Sequence, residues 1–323
     1  MPVSDQSGLR ADIDPLLNSI LVKVANEQSS YIVNDVAPYI TTSSRAGTYL
    51  KYTKASFLGN SDESFERAAN DTSEEIDVAT STGTFTGTEY SAQLSIDISD
   101  EQEASNGALD LKRDGMEALW HRLQIEKEKK LHTLMTTTGN WTATEALAAG
   151  QEWDDTTGDL LKNLDASIRA FFTQAGHGPD CMVISLQDLH SLRQHPDITA
   201  KVVSNNNSNA TVNFEQLEQI LAEEFGLKKL FVSKAVKNNA DSGATYSGSF
   251  VWTADTAFLG FCGVGGDVNG MSNVAAKTFG PRDWTPKSYF DDSRKSTVLE
   301  LSSIYVLEAI SADMGYTITN TQA

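Results

Sequence analysis

The chain has 323 residues, 40% of them hydrophobic and 21% charged, with a formal net charge of −19. That length accommodates one large or two ordinary domains with a real core, and the balance is that of a folded chain. The acidic excess argues against direct nucleic-acid binding, which needs clustered Lys and Arg. No run approaches 18 consecutive apolar residues, so no membrane-spanning helix is expected. Two cysteines far apart, Cys181 and Cys262, suggest no disulfide framework and fit a reducing compartment. The opening MPVSDQSGLR lacks a basic start followed by an apolar run, so no secretory signal is expected.

Residues 1–45 begin with a short amphipathic stretch, Leu16 to Val24, and continue to Pro38 and a Ser/Thr run that breaks any helix. They contain no self-contained core and read as an arm that packs on something else. Thr48–Lys54 alternates and is rich in β formers, which predicts a strand. Tyr90, Ala92, Leu94, Ile96 and Ile98 fall on every second position and predict its partner. Between the two lie about 35 polar, acidic residues, a length that is usually functional or disordered. From Gly59 to Glu103 there are twelve acidic residues and one basic one, Arg67, so more than half of the net charge sits in about a seventh of the chain.

The stretch Ala108–Met135 has no proline, and its apolar residues Met116, Leu119, Trp120, Leu123, Leu131, Leu134 and Met135 recur at steps of three and four. It predicts a helix about 42 Å long, capped by Ser105 or Asn106 and followed by Gly139. Its other face carries Lys112, Arg113, Arg122, Glu126, Lys127, Glu128, Lys129 and Lys130. An α/β region follows. Helices are predicted at Leu160–Phe172, Asp188–His195 and Phe214–Phe225, and strands at Cys181–Ser185, Lys229–Ser233, Phe250–Trp252 and Ala257–Phe261. The tail returns to β structure at Val298–Leu301, Ile304–Leu307 and Tyr316–Ile318. It is expected to form a sheet lying on the long helix, with the α/β region inserted between.

No catalytic, cofactor or metal site is advertised. Gly178 and Pro179 break any helix between His177 and Cys181. His190 and His195 are five apart, the wrong spacing for one helical face, and are expected in or beside a solvated turn. Gly263-Val264-Gly265-Gly266-Asp267 lacks the Gly-Lys-Ser/Thr of a phosphate loop and reads as a turn. The carboxylates form acidic faces with no apolar pocket to raise a pKa. No enzyme is expected, and no cofactor.

The order of arm, acidic β projection, long helix, α/β domain and closing strands resembles the major capsid proteins of tailed bacteriophages, the HK97-like fold. SYIVNDVAPYITTSSRAGTYLKYTK is similar to that family's passage from arm into extended loop. Trp153-Asp154, Pro179–Ser185 and His195-Pro196 also stand in family-like places. The resemblance covers essentially the whole chain. It implies an α+β fold with an N-arm at 1–45, an extended β-hairpin E-loop at 46–99, and a peripheral P domain with its spine helix at 100–158. An inserted α/β A domain would occupy 159–286, and P-domain closing strands 287–323. It further implies hexamers and pentamers closing into an icosahedral shell around double-stranded DNA, without sequence-specific binding and with no membrane involved. Portal and scaffolding proteins would be partners, as would a decoration protein where one exists. The shell would assemble in the host bacterial cytoplasm and reside in the virion. The chain begins close to the arm, so a separate scaffold or none is expected. Lys51 and Lys54 lie near the base of the loop, so no lysine–asparagine crosslink is expected. An encapsulin-type nanocompartment shell is the alternative within the fold, and an enzyme with an unadvertised site the alternative outside it.

Charge complementarity then suggests the contacts between subunits. The acidic loop residues Glu74, Glu75 and Asp77 are expected over a neighbour's basic spine, at Arg122, Lys127, Lys129 and Lys130. The stretch Lys277–Lys295, with five basic and three acidic residues, is the second choice.

Overall fold

The computed structural model describes residues 31–52, 80–106, 110–202, 212–241, 243–264 and 274–322, together with 17, 20, 21, 58, 65–67, 69, 72 and 73. Two sheets organise the described chain. The first contains β1 (Tyr39–Thr41), β4 (Thr88–Asp97), β11 (Ala276–Asp291) and β12 (Ser296–Ala309), in the order β1-β11-β12-β4. The second contains β5 (Ala143–Ala146), β6 (Cys181–Ser185), β7 (Lys229–Ser233), β10 (Thr256–Gly260) and β13 (Gly315–Thr319), in the order β5-β13-β10-β6-β7. Two hairpins pair separately from these sheets: β2 (Ala46–Tyr52) with β3 (Thr80–Thr86), whose Tyr49 and Phe85 stack on Phe279 of β11, and β8 (Val236–Asn238) with β9 (Gly248–Phe250).

Seven helices are described: α1 (Val33–Val36), α2 (Ile98–Asn106), α3 (Leu111–Thr136), α4 (Leu160–Ala175), α5 (Leu186–Gln194), α6 (Pro196–Val202) and α7 (Phe214–Phe225). The long helix α3 starts later than its periodicity suggested, because Asp110 caps it by accepting the Arg113 N–H, while Ser105 and Asn106 end the separate helix α2. Met116, Leu119, Trp120 and Leu123 pack against Leu299 and Leu301 of β12 and Ile96 of β4. Leu17 and Leu21, four residues apart, join this cluster, so the arm contributes to the core under the helix. Gly115, the single glycine of the helix, allows a close approach: a Cβ there would lie 2.7 Å from Leu94 Cδ2 and 3.2 Å from Leu299 Cδ1.

The larger core surrounds the five-stranded sheet. β6 is buried along its whole length and is flanked by helices whose apolar stripes include Leu164, Ile168 and Phe171 of α4 and Leu217 and Leu221 of α7. Capping boxes start α5, through Ser185 and Asp188, and α7, through Asn213 and Gln216. Gly226 ends α7 in the left-handed conformation at φ 73°.

The structure corrects four further expectations. The strand at 46–52 pairs with β3, whereas the strand predicted as its partner, β4, pairs antiparallel with β12 from Asp97↔Ser296 to Thr88↔Tyr305. Gly87 separates β3 from β4, and the fourteen-residue β12 offers β4 a longer ladder. The terminal strand β13 does not join the sheet that the rest of the tail forms, and it meets α3 only at its C-terminal end, where the Thr317 hydroxyl donates to the Met135 carbonyl at 2.7 Å. It runs between β5 and β10, where its first four residues are buried, and Gly315 leaves no room for a side chain against Trp141. Cys181 and Cys262 form a disulfide across 81 residues of sequence. The pairing of Gly260 with Cys181 between β10 and β6 closes that distance to a Cα–Cα separation of 6.2 Å. Finally, His195 is buried: its Nδ1 receives the Asp197 N–H at 3.2 Å, and its Nε2 lies 3.1 Å from the Asp155 carbonyl. His190 is exposed, but it lies within helix α5 and not in a turn.

Candidate intersubunit surface and the buried pair of the long helix

The apolar stripe of α3 has a gap in sequence between Leu123 and Leu131. Helical geometry brings Lys127 and Glu128 inward there, and both are fully buried. Lys127 Nζ donates to Asn34 Oδ1 at 2.8 Å and lies 5.4 Å from the Tyr39 ring, 5.3 Å from Tyr305 and 5.9 Å from Trp284. Three aromatic faces within about 6 Å offset part of the desolvation of an ammonium. Burial still pushes the Lys127 ammonium below the usual lysine range, opposed by the carboxylates of Asp283 and Glu128.

Glu128 turns to the other side. Its Oε2 accepts the Ile32 N–H at 3.3 Å and its Oε1 accepts the Ser233 hydroxyl at 2.8 Å. Burial pushes its carboxyl up to about 7, against hydrogen bonds from Ser233, Ile32 and Val33 that favour the ionised form. This pair therefore connects the arm through Ile32 and Asn34, the long helix, the four-stranded sheet through Trp284 and Tyr305, and β7 of the five-stranded sheet through Ser233. The expectation that Lys127 faces a neighbouring subunit is thus corrected: its ammonium is enclosed by its own chain. The gap in the apolar stripe was the sequence signal for this; the identity of the cage residues, 88 to 178 positions away, was not visible.

The other basic residues of α3 lie on its outer face. Arg122 is exposed and makes no ion pair among the described residues. Lys129 and Lys130 are half-exposed, each 3.7 Å from Glu126 of the same helix, and Lys130 Nζ lies 4.6 Å from the Tyr90 ring. Between α3 and β12 these residues border a groove of about 570 Å³, lined also by Thr133, Leu134, Tyr305 and Leu307. A carboxylate arriving there competes with Glu126 for both lysines. Glu74, Glu75 and Asp77 lie outside the described residues. The second basic stretch occupies β11 and its turn into β12, where Arg294 pairs with Asp291 at 3.8 Å beside the exposed side chains of Tyr289 and Phe290.

The other polar candidates are used structurally. His177 Nδ1 lies 3.0 Å from the Gly178 carbonyl, and its ring meets Phe261 edge-on. Asp180 is buried and accepts the N–H groups of Cys262 and Val264, while Gly265, Gly266 and Asp267 lie outside the described residues. No described helix is long and apolar enough to cross a membrane.

No protein-family model matches the sequence, and no curated protein does. Solved structures do match, nearly end to end. A phage-related protein from Bordetella bronchiseptica RB50 superimposes with a TM-score of 0.70 at 17% identity, over 96% of this chain and 97% of that one. The capsid of the cyanophage P-SCSP1u gives 0.56 at 10% identity over 90% and 88%. The SrpI encapsulin of Synechococcus elongatus PCC 7942 gives 0.53 at 11% identity over 91% and 88%. At such identities the likeness concerns architecture: the chain has the HK97-like α+β fold shared by phage capsids and encapsulin shells.

Proposed function

We propose that this chain is the major capsid protein of a tailed double-stranded DNA phage, forming hexamers and pentamers that close into an icosahedral shell. The single observation behind this reading is the nearly end-to-end match to a phage-related protein, over 96% of this chain, and to a cyanophage capsid, over 90% of it. In this reading residues 1–45 are the N-arm, and the β2–β3 hairpin with its intervening segment is the E-loop. The helix α3 with the four-stranded sheet is the P domain, and the five-stranded sheet with α4–α7 is the A domain. The strand β4 passes to the P domain and β13 to the A domain. The net charge of −19 suits a wall that confines DNA without gripping it. A hairpin of two strands is marginal alone, so the E-loop gains by lying on a neighbour. Portal and scaffolding proteins would be its partners during assembly in the host cytoplasm.

The encapsulin neighbour supports a second reading, a protein-filled compartment of the same fold. Size-exclusion chromatography with electron microscopy on the purified chain tests the shell itself. Closed particles, hexamers or pentamers are expected, and a monomer or dimer that never assembles, even with its neighbouring genes coexpressed, would overturn both readings. Particle contents then separate them: nuclease-protected double-stranded DNA for the first, an enclosed protein for the second.

A further inference from the structure

The disulfide lies at a junction of the fold. Cys181 is the first residue of β6, and Cys262 stands two residues beyond β10, just before the chain leaves the five-stranded sheet for β11. Both side chains are buried, at 0% and 1% exposure. The loop they close contains β6, β7, β8, β9 and β10 with α5, α6 and α7, which is most of the α/β unit. Asp180, itself 2% exposed, accepts the N–H groups of Cys262 at 2.6 Å and Val264 at 2.7 Å, and its own N–H donates to the Gly260 carbonyl at 3.0 Å. Strand register and the Asp180 bonds therefore hold the two cysteines face to face without help from the sulfur–sulfur bond.

We propose that Cys181 and Cys262 are a redox-responsive staple, a dithiol when the chain folds in a reducing medium and a disulfide once a low-molecular-weight disulfide is available. When local opening bares one of these buried sulfurs, its thiolate attacks a sulfur of that oxidant, RSSR, forms a mixed disulfide and releases RS⁻. The second protein thiolate attacks the mixed disulfide at the protein sulfur, closing the Cys181–Cys262 bond and releasing the second RS⁻. The protein loses two electrons and two protons, and the small disulfide becomes two thiols. Closure restrains the unfolded chain over an 81-residue separation, a length at which the chain-entropy effect is large. It also fastens the end of β10 to the start of β6 within the five-stranded sheet. This inference does not depend on shell formation and is read on whichever assembly the purified chain adopts.

The test compares the full chain reduced with dithiothreitol and the same chain equilibrated with oxidised glutathione. Free thiols are counted by maleimide mass tagging after unfolding, and both forms are melted. Two free thiols before and none after, with no glutathione retained, are expected, together with a Tm higher by roughly 5–10 °C in the oxidised form. Cys181→Ala/Cys262→Ala is expected to melt like the reduced chain in both buffers, and if that variant does not fold, the wild-type comparison decides alone. Thiols that stay free, glutathionylation without ring closure, equal Tm values in the two forms, or zinc bound by the reduced pair would each overturn the proposal.

Discussion

Within α3, Lys127 and Glu128 are enclosed by residues from four other parts of the chain, whereas Arg122, Lys129 and Lys130 of the same helix face outward. The residue types are alike and the local helical propensity is similar. The enclosed pair has aromatic faces, an Asn34 carbonyl, a Ser233 hydroxyl and a backbone N–H arranged around it. The outward lysines share one carboxylate, Glu126, and meet solvent. Charge on a helix thus serves two purposes that only its surroundings distinguish: inside it specifies how arm, helix and sheets meet, and outside it is available to another molecule.

Substitutions that treat the two sets alike should expose the difference. Lys127→Ala leaves an empty aromatic cage and an unpaired Asn34 and is expected to cost about 3–5 kcal/mol, read by urea unfolding. Lys127→Met fills the cage without the charge and should cost less than about half of that, since a packed apolar side chain can replace a buried ion. Equal losses for the two variants would remove the cage from the explanation.

The pH dependence comes next in size. Burial raises the Glu128 carboxyl from 4.5 to about 7, so between those values the folded chain holds a proton that the unfolded chain has lost. Its contribution to stability is complete below about pH 4.5 and declines as pH rises through 7, by an amount on the order of 3 kcal/mol. Glu128→Gln keeps the side-chain shape and removes the titration. The stability of the variant relative to wild type should therefore rise across that window, and parallel pH profiles for the two proteins would contradict the assignment.

Gly115→Ala should run against helix propensity. Alanine ordinarily gains about 1 kcal/mol over glycine inside a helix, but here its methyl meets Leu94 and Leu299, so a net loss of about 1–2 kcal/mol is expected in thermal unfolding. Increased stability would mean that β4 yields easily. The smallest effect per contact belongs to the outward set. Arg122→Ala should change subunit stability by less than about 0.5 kcal/mol. Exposed ion pairs contribute about 0–1 kcal/mol each, yet repetition around a closed shell adds them together. Charge reversal at Glu74, Glu75 and Asp77 should lower particle yield in electron microscopy, and reversal at Arg122, Lys129 and Lys130 should restore it. Normal assembly of the acidic reversals alone would discard the complementarity.

Much of this architecture was legible because its signals are local. Periodicity of three and four marked α3, α4 and α7, period-two alternation marked β4, and Gly226 marked the end of α7. The boundary at Asp110 was missed because Ser105 and Asn106 are equally good caps, and only the short helix α2 shows which residue is used. The groove beside Lys129 and Lys130 was half visible: its basic residues were read correctly as outward-facing, but their shared partner Glu126 was counted as one more charge on the same face.

By itself the sequence determined the succession of elements, the long helix, the acidic projection and the resemblance to a shell-forming fold, since each rests on neighbours along the chain. Tertiary structure alone decided that β2 pairs with β3, that β13 inserts between β5 and β10 of the five-stranded sheet, that Cys181 reaches Cys262, and that Lys127 and Glu128 turn inward. Strand pairing, disulfide closure and the solvation of a charge depend on groups brought together from distant positions, and the pattern within any one segment carries no record of them.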